Sequence, residues 1–139
     1  MEKFLKYWLP VIIWAGIIFY LSSQPGLKSG LAWPYDFILR KGGHIFEYAI
    51  LFLLFDRALK NQLASSSAFV PPSQADRKSF FAQKNKKALF WAFLLTILYA
   101  ISDEYHQTFV AQRIGSWSDV TIDSFGVMLI VWWKIRRVV

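Results

Sequence analysis

Four apolar stretches, each broken or stopped by charge, limit what this 139-residue chain can become. They run from Tyr7 to Leu21, Gly43 to Phe55, Ala88 to Ala100 and Asp119 to Trp133. A helix needs ~20 apolar residues to cross a hydrocarbon core, and each stretch falls short unless its polar end is included. The reading is therefore all-α: an integral membrane bundle of four transmembrane helices in one domain. Its helices fall at about 5–22, 43–58, 88–107 and 118–134, with a loop over about 59–87. Composition points the same way, since 55% of residues are hydrophobic and 18% are charged, against ~25% charged in an average soluble domain. A soluble helical protein would need polar helix faces that these segments lack. No cysteine is present, which removes disulfides and thiolate metal sites. Met1 to Leu21 has the basic start and apolar middle of a signal peptide. No A-x-A cleavage site follows it, so a retained helix is expected.

Charge orients such a bundle. With four spans the N-terminus, the 59–87 loop and the C-terminus share one side. That side carries Lys3, Lys6, Arg57, Lys60, Arg77, Lys78, Lys84, Lys86, Lys87, Lys134, Arg136 and Arg137. The other side has Lys28, Arg40, Lys41 and Arg113. The positive-inside rule puts the first group, and both termini, in the cytoplasm. The loop, with Ser65-Ser66-Ser67, Pro71-Pro72 and a basic tail, reads as a flexible connector able to touch anionic headgroups, with a short surface helix possible around 77–87. The pI of 9.8 then reflects topology, and no nucleic-acid partner is expected.

This orientation gathers the ionisable groups. His44 and Glu47 start the second helix, Asp103, Glu104 and His106 end the third, and Asp119 and Asp123 start the fourth. All fall at the outer end, with Asp36 a little apart. A charge at mid-bilayer costs roughly 2.5–3.5 kcal/mol, so such residues usually face a protein interior and serve a purpose. His44, Glu47, Tyr48 and Leu51 share one helix face, as do Tyr99, Asp103, His106 and Gln107. Glu104 sits ~100° away from Asp103, towards solvent or a headgroup. Asp103 near a helix C-terminus opposes the macrodipole and calls for a compensating cation, either Arg113 or a metal ion. Asp119 suits the first turn of a helix capped by Ser116 or Ser118. Gly42-Gly43 permits close approach of a backbone or a substrate, and Gly126 marks a close helix–helix contact. The bland alternative is a polar network that fixes helix packing.

The runs Lys41-x-x-His44-x-x-Glu47-Tyr48 and Tyr99-Ala100-x-x-Asp103-Glu104-x-His106-Gln107-x-Phe109 resemble the VanZ-like membrane protein family. Arg113, Asp119, Asp123, Gly126 and Ser22-Ser23-Gln24 extend the resemblance over nearly the whole chain except Asn61 to Lys87. It implies a small helical protein of the bacterial cytoplasmic membrane, in a family named for a member linked to resistance against the glycopeptide teicoplanin. Two positions depart from the pattern. Ala111-Gln112 stands where relatives often have Pro-Gly, which bears on the turn before Arg113. Asp123 stands where Asn is common, which bears on any metal preference.

Two functions compete. One is an enzyme, a hydrolase or transferase, acting at the outer face on a lipid-linked or cell-envelope substrate. Glu47 or Asp103 would be its base, and His44 and His106 its proton carriers. Arg113, Gln107, Tyr48, Lys41, Gln24 and Ser23 would hold the substrate, with Glu104, Asp119 and Asp123 in support. A divalent metal on some of His44, Glu47, Asp103, His106 and Asp123 is a further option. The other function is non-catalytic binding of an envelope lipid or an amphiphilic antibiotic.

Overall fold

The computed structural model describes residues 2–25, 32, 34–65, 73, 76–113, 115 and 117–138. They form four helices: α1 (Glu2–Ser22), α2 (Tyr35–Ser65), α3 (Arg77–Gln107) and α4 (Trp117–Val138). No strand occurs among the described residues. The expected helices occur in the expected order, but two are longer than hydropathy suggested. α2 begins at Tyr35 rather than near residue 43 and runs on to Ser65. α3 begins at Arg77 rather than near 88. At 31 residues each, these helices are about 46 Å long.

The physical reason is that hydropathy reports apolar content, whereas a helix needs only good propensity and no breaker. The segment from Arg77 to Lys87 contains no Gly or Pro. At the other end, Pro34 precedes the first turn of α2, where its missing N–H costs nothing. Asp36 pairs with Arg40 one turn later at 2.8 Å, an i, i+4 contact that supports the helix. The expected 59–87 connector is thus mostly helix. Lys84 Nζ donates to Leu63 O at 2.7 Å, so α3 caps the last turn of α2. Ser66, Ser67, Pro71 and Pro72 lie outside the described residues.

α2 is the central element and packs against α1, α3 and α4, while α1 and α4 do not approach each other. The core is a column of Val11, Ile18, Tyr48, Leu51, Phe52, Ala92, Ala100 and Val127. Two polar ties clamp α1 onto it. Trp14 Nε1 donates to Glu47 O at 3.0 Å, and Tyr99 OH donates to Ala15 O at 2.6 Å. α4 comes close to α2 at Gly126, where a Cβ would lie 2.7 Å from Ile45 Cγ2. The expected close contact at this glycine is therefore with Ile45.

Much of the outer surface is apolar. Ile12, Ile13, Ile17, Phe46, Leu98, Phe125 and Met128 all face outward. Phe4–Ser22 and Ser79–Gln107 are each long and apolar enough to cross a membrane, and just 11% of the first is buried within the protein.

Away from the expected site, Asp56 is buried and accepts Lys60 Nζ at 2.8 Å and Lys134 Nζ at 2.5 Å, all on Oδ2. Its Oδ1 has no partner. The Lys134 bond joins the C-terminal halves of α2 and α4. Each lysine keeps part of its side chain exposed while the Asp56 carboxylate is buried, so removing a lysine leaves a buried charge short of compensation. In a double-mutant cycle, Asp56→Asn and Lys134→Met are expected to couple by about 0.5–3 kcal/mol in unfolding of the detergent-solubilised protein. Additive losses would show that the contact does not hold α4.

Candidate functional site

The centre of the polar end is Asp103, which is 3% exposed. Its Oδ1 accepts Ser22 Oγ at 2.6 Å, and its Oδ2 accepts Tyr48 OH and Gln107 Nε2, both at 2.9 Å. One carboxylate thus joins α1, α2 and α3. Sequence reasoning called for a cation here. Three neutral donors do the work instead, because a carboxylate offers about four acceptor sites and the helix ends supply donors in the right places.

Arg113 does not contact Asp103 or Asp119. Its Nε donates to Gln24 O at 3.1 Å, Nη2 to Leu21 O at 3.0 Å and Nη1 to Gln107 Oε1 at 3.1 Å. The first two bonds satisfy carbonyls at the C-terminus of α1, which a helix leaves without partners. Through Gln107 the guanidinium is linked to Asp103. A tight turn delivers it: Arg113 N–H bonds Val110 O at 3.1 Å, and Gln112 has φ 62°. A positive φ at the third position alone makes this a type II turn, which favours Pro then Gly in its centre. Ala111-Gln112 therefore builds the turn that Pro-Gly would build more cheaply. Gly115 then folds onto the end of α3, where a Cβ would lie 2.7 Å from Glu104 O.

The histidines enter separate networks. His106 Nε2 is 3.1 Å from Ser23 Oγ, and its ring lies over Phe19. Ser23 has one proton and gives it to Phe19 O at 2.6 Å, so Nε2 of His106 is the donor in that pair. His44 packs its ring along Tyr48. Its Nδ1 is buried without a hydrogen bond, and Asp123 Oδ2 is 4.0 Å away, beyond bonding range. Lys41 is in contact with Asp119, which also accepts Ser118 Oγ at 3.2 Å. Ser116 lies outside the described residues. Gln24 bonds Tyr20 O through its side chain. Glu104, expected towards solvent, is buried and lines a cavity of about 320 Å³ between α3 and α4 with Tyr105 and Trp117. Gly115 packs against the end of α3 here, which helical spacing could not foresee. No three His, Asp or Glu side chains among the described residues come together as a metal site.

Glu47 stands apart from these networks. It lines a cavity of about 210 Å³ between α1 and α2, with Leu21, Leu39, Arg40, His44 and Arg113. Its carboxylate has no hydrogen bond or ion pair among the described residues. Arg40 and Leu39 were not among the expected site residues, because hydropathy placed them in a loop. Gly42 and Gly43 have nothing within 4 Å of a built Cβ. No backbone among the described residues uses the room they leave, and Gly43 opens onto the cavity.

Two substitutions test this geometry. Asp103→Asn can place its amide towards Ser22, whose hydroxyl turns to Phe19 O (3.2 Å away) and accepts the new N–H. Its oxygen keeps Tyr48 and Gln107. The expected loss in unfolding free energy is under about 1 kcal/mol, against roughly 2–4 kcal/mol for Asp103→Ala, which strands Tyr48 OH and Gln107 Nε2. Equal losses would refute the neutral-donor account. At the turn, Gln112→Gly is expected to hold or raise the midpoint of thermal unfolding, while Gln112→Val lowers stability by about 1–2 kcal/mol.

A family model described as VanZ/LLP1 matches residues 7–136. No curated protein and no solved structure matches the chain. The match takes in every helix that builds the polar end, from the Ser22 side of α1 to Lys134 of α4, and the chain belongs to the VanZ/LLP1 family.

Proposed function

We propose that this chain crosses the bacterial cytoplasmic membrane four times, with both termini in the cytoplasm, and acts at the outer face on a lipid-linked or cell-envelope substrate. Support for the topology comes from the two strongly apolar helices, the basic residues concentrated at one end and the aliphatic side chains facing outward. α2 and α3 exceed the ~30 Å hydrocarbon core, so their paired ends extend into the cytoplasm.

The observation that carries the chemistry is the contrast between two carboxylates. Asp103 has both oxygens engaged by protein donors, which leaves it poorly placed to take a substrate proton. Glu47 has no hydrogen-bond or ion-pair partner among the described residues and lines a cavity with His44 and Arg113. Glu47 is thus the general base, His44 its neighbour for proton transfer, and Arg113 an electrostatic anchor. Asp103, Tyr48 and Gln107 are positioning residues that hold Arg113 and α2 in register. Ser23, Gln24 and Lys41 serve the frame, each being bonded within the protein.

The test is turnover in vesicles made from bacterial membrane lipid extract, followed by mass spectrometry. Wild-type protein should convert one lipid class, and Glu47→Gln should slow this by about 10²–10⁴-fold at equal insertion and thermal stability. Undiminished conversion by Glu47→Gln would eliminate it as the base.

A second reading, binding without turnover, draws support from how many polar groups at this end are already committed to one another. It has the same cavity hold an envelope lipid or an amphiphilic antibiotic of the glycopeptide kind. No conversion by the wild type, together with teicoplanin tolerance conferred equally by wild type and Glu47→Gln, would favour it.

A further inference from the structure

The cleft between the outer ends of α1 and α2 combines fixed positive charge with bare hydrocarbon. Arg113 donates to two carbonyls and one side-chain amide oxygen. None of these acceptors is a carboxylate, so the guanidinium is rigidly aimed while no anion among the described residues is in contact with it. Arg40 lines the same cleft with a 53% exposed side chain. Asp36 takes one of its nitrogens at 2.8 Å, and its other N–H groups have no partner among the described residues. Two guanidiniums thus border the cleft; Glu47 is the carboxylate in its lining, and Asp36 pairs with Arg40 from outside that lining. Planar forks of this kind suit phosphate oxygens, which they bind bidentately.

Beside Ser22 and His44, the lining also carries apolar surface. Leu39 is 55% and Leu21 36% exposed, and both border the cavity. Beside them Phe19 and Tyr20 on α1, and Phe37 and Ile38 on α2, also face outward. The cleft therefore opens sideways onto hydrocarbon-like surface. Its volume of about 210 Å³ equals that of about seven waters at ~30 Å³ each. That is room for a compact headgroup and not for a whole lipid, whose chains would have to lie outside along the leucines.

We infer that this cleft binds an anionic, phosphate-bearing membrane amphiphile, its phosphate at Arg40 and Arg113 and its hydrocarbon over Leu21 and Leu39. The inference names the substrate class of the site proposed above and rests on that placement, though not on turnover. Glu47 then sits beside the headgroup, where its charge weakens anion binding while leaving it free to act on a neighbouring group.

The experiment is titration of the full-length protein in dodecyl maltoside with dioctanoyl phosphatidic acid, dioctanoyl phosphatidylcholine and inorganic phosphate. Phosphatidic acid is expected to bind more tightly than the other two. Arg40→Gln, at an exposed position, should weaken it at least about tenfold, and Leu39→Ser should weaken it without touching a charge. Glu47→Gln should bind as tightly or more tightly. Equal binding of phosphatidylcholine, or an Arg40→Gln variant of normal thermal stability and unchanged affinity, would overturn the inference. Inorganic phosphate binding as tightly as phosphatidic acid would overturn it in favour of a plain phosphate site. Arg40-dependent binding by a wild-type protein that converts no lipid would remove the catalytic reading and leave this inference standing.

Discussion

A carboxylate buried among helices must find donors, and Asp103 finds them on three different elements. Charge-assisted hydrogen bonds are stronger than neutral ones, and each left unmade would cost on the order of 1–3 kcal/mol. The end of α1, the middle of α2 and the last turn of α3 are therefore fixed relative to one side chain. Arg113 extends the lock. It reaches from the α3–α4 connection to the carbonyls of Leu21 and Gln24 at the end of α1 and touches Gln107 on the way.

This arrangement divides the polar end into a saturated frame and an open cleft. The frame has little chemistry to offer, since its donors and acceptors are spent on one another. It supplies preorganisation, which is what the anchoring role proposed for Arg113 needs. The cleft holds the one lining carboxylate, Glu47, without a hydrogen-bond or ion-pair partner among the described residues. His44 borders both regions: it lines the cleft, while its Nδ1 faces Asp123 without reaching it. Towards the other end of the bundle, Asp56 with Lys60 and Lys134 plays a simpler part by joining α2 to α4.

Particular residues show how far the sequence could be read. Four helices and the convergence of His44, Glu47, Asp103 and Asp123 at one end follow from hydropathy, charge bias and helical period. The shared face of Asp103 and Gln107 appears as a hydrogen bond between them. The partner of Asp103 was not legible, because a serine or tyrosine donor is chemically silent in a sequence until folding brings it near. Arg113 was legible as an important cation but not as a cap for α1, since its acceptors are backbone carbonyls that every residue possesses. The outer turns of α2, with Leu39 and Arg40, were hidden by the drop in hydropathy around Asp36, Arg40, Lys41 and the two glycines.

Sequence by itself determined the class of the protein: a helical chain with apolar segments, a basic end and a polar end, because these depend on composition and local periodicity. The VanZ/LLP1 membership was also written there, in residue types at set spacings. Tertiary structure decided which carboxylate is spent and which is open. That choice turns on contacts of 2.9 and 2.6 Å between side chains 55 and 81 residues apart in the chain, and local pattern carries no information at such separations.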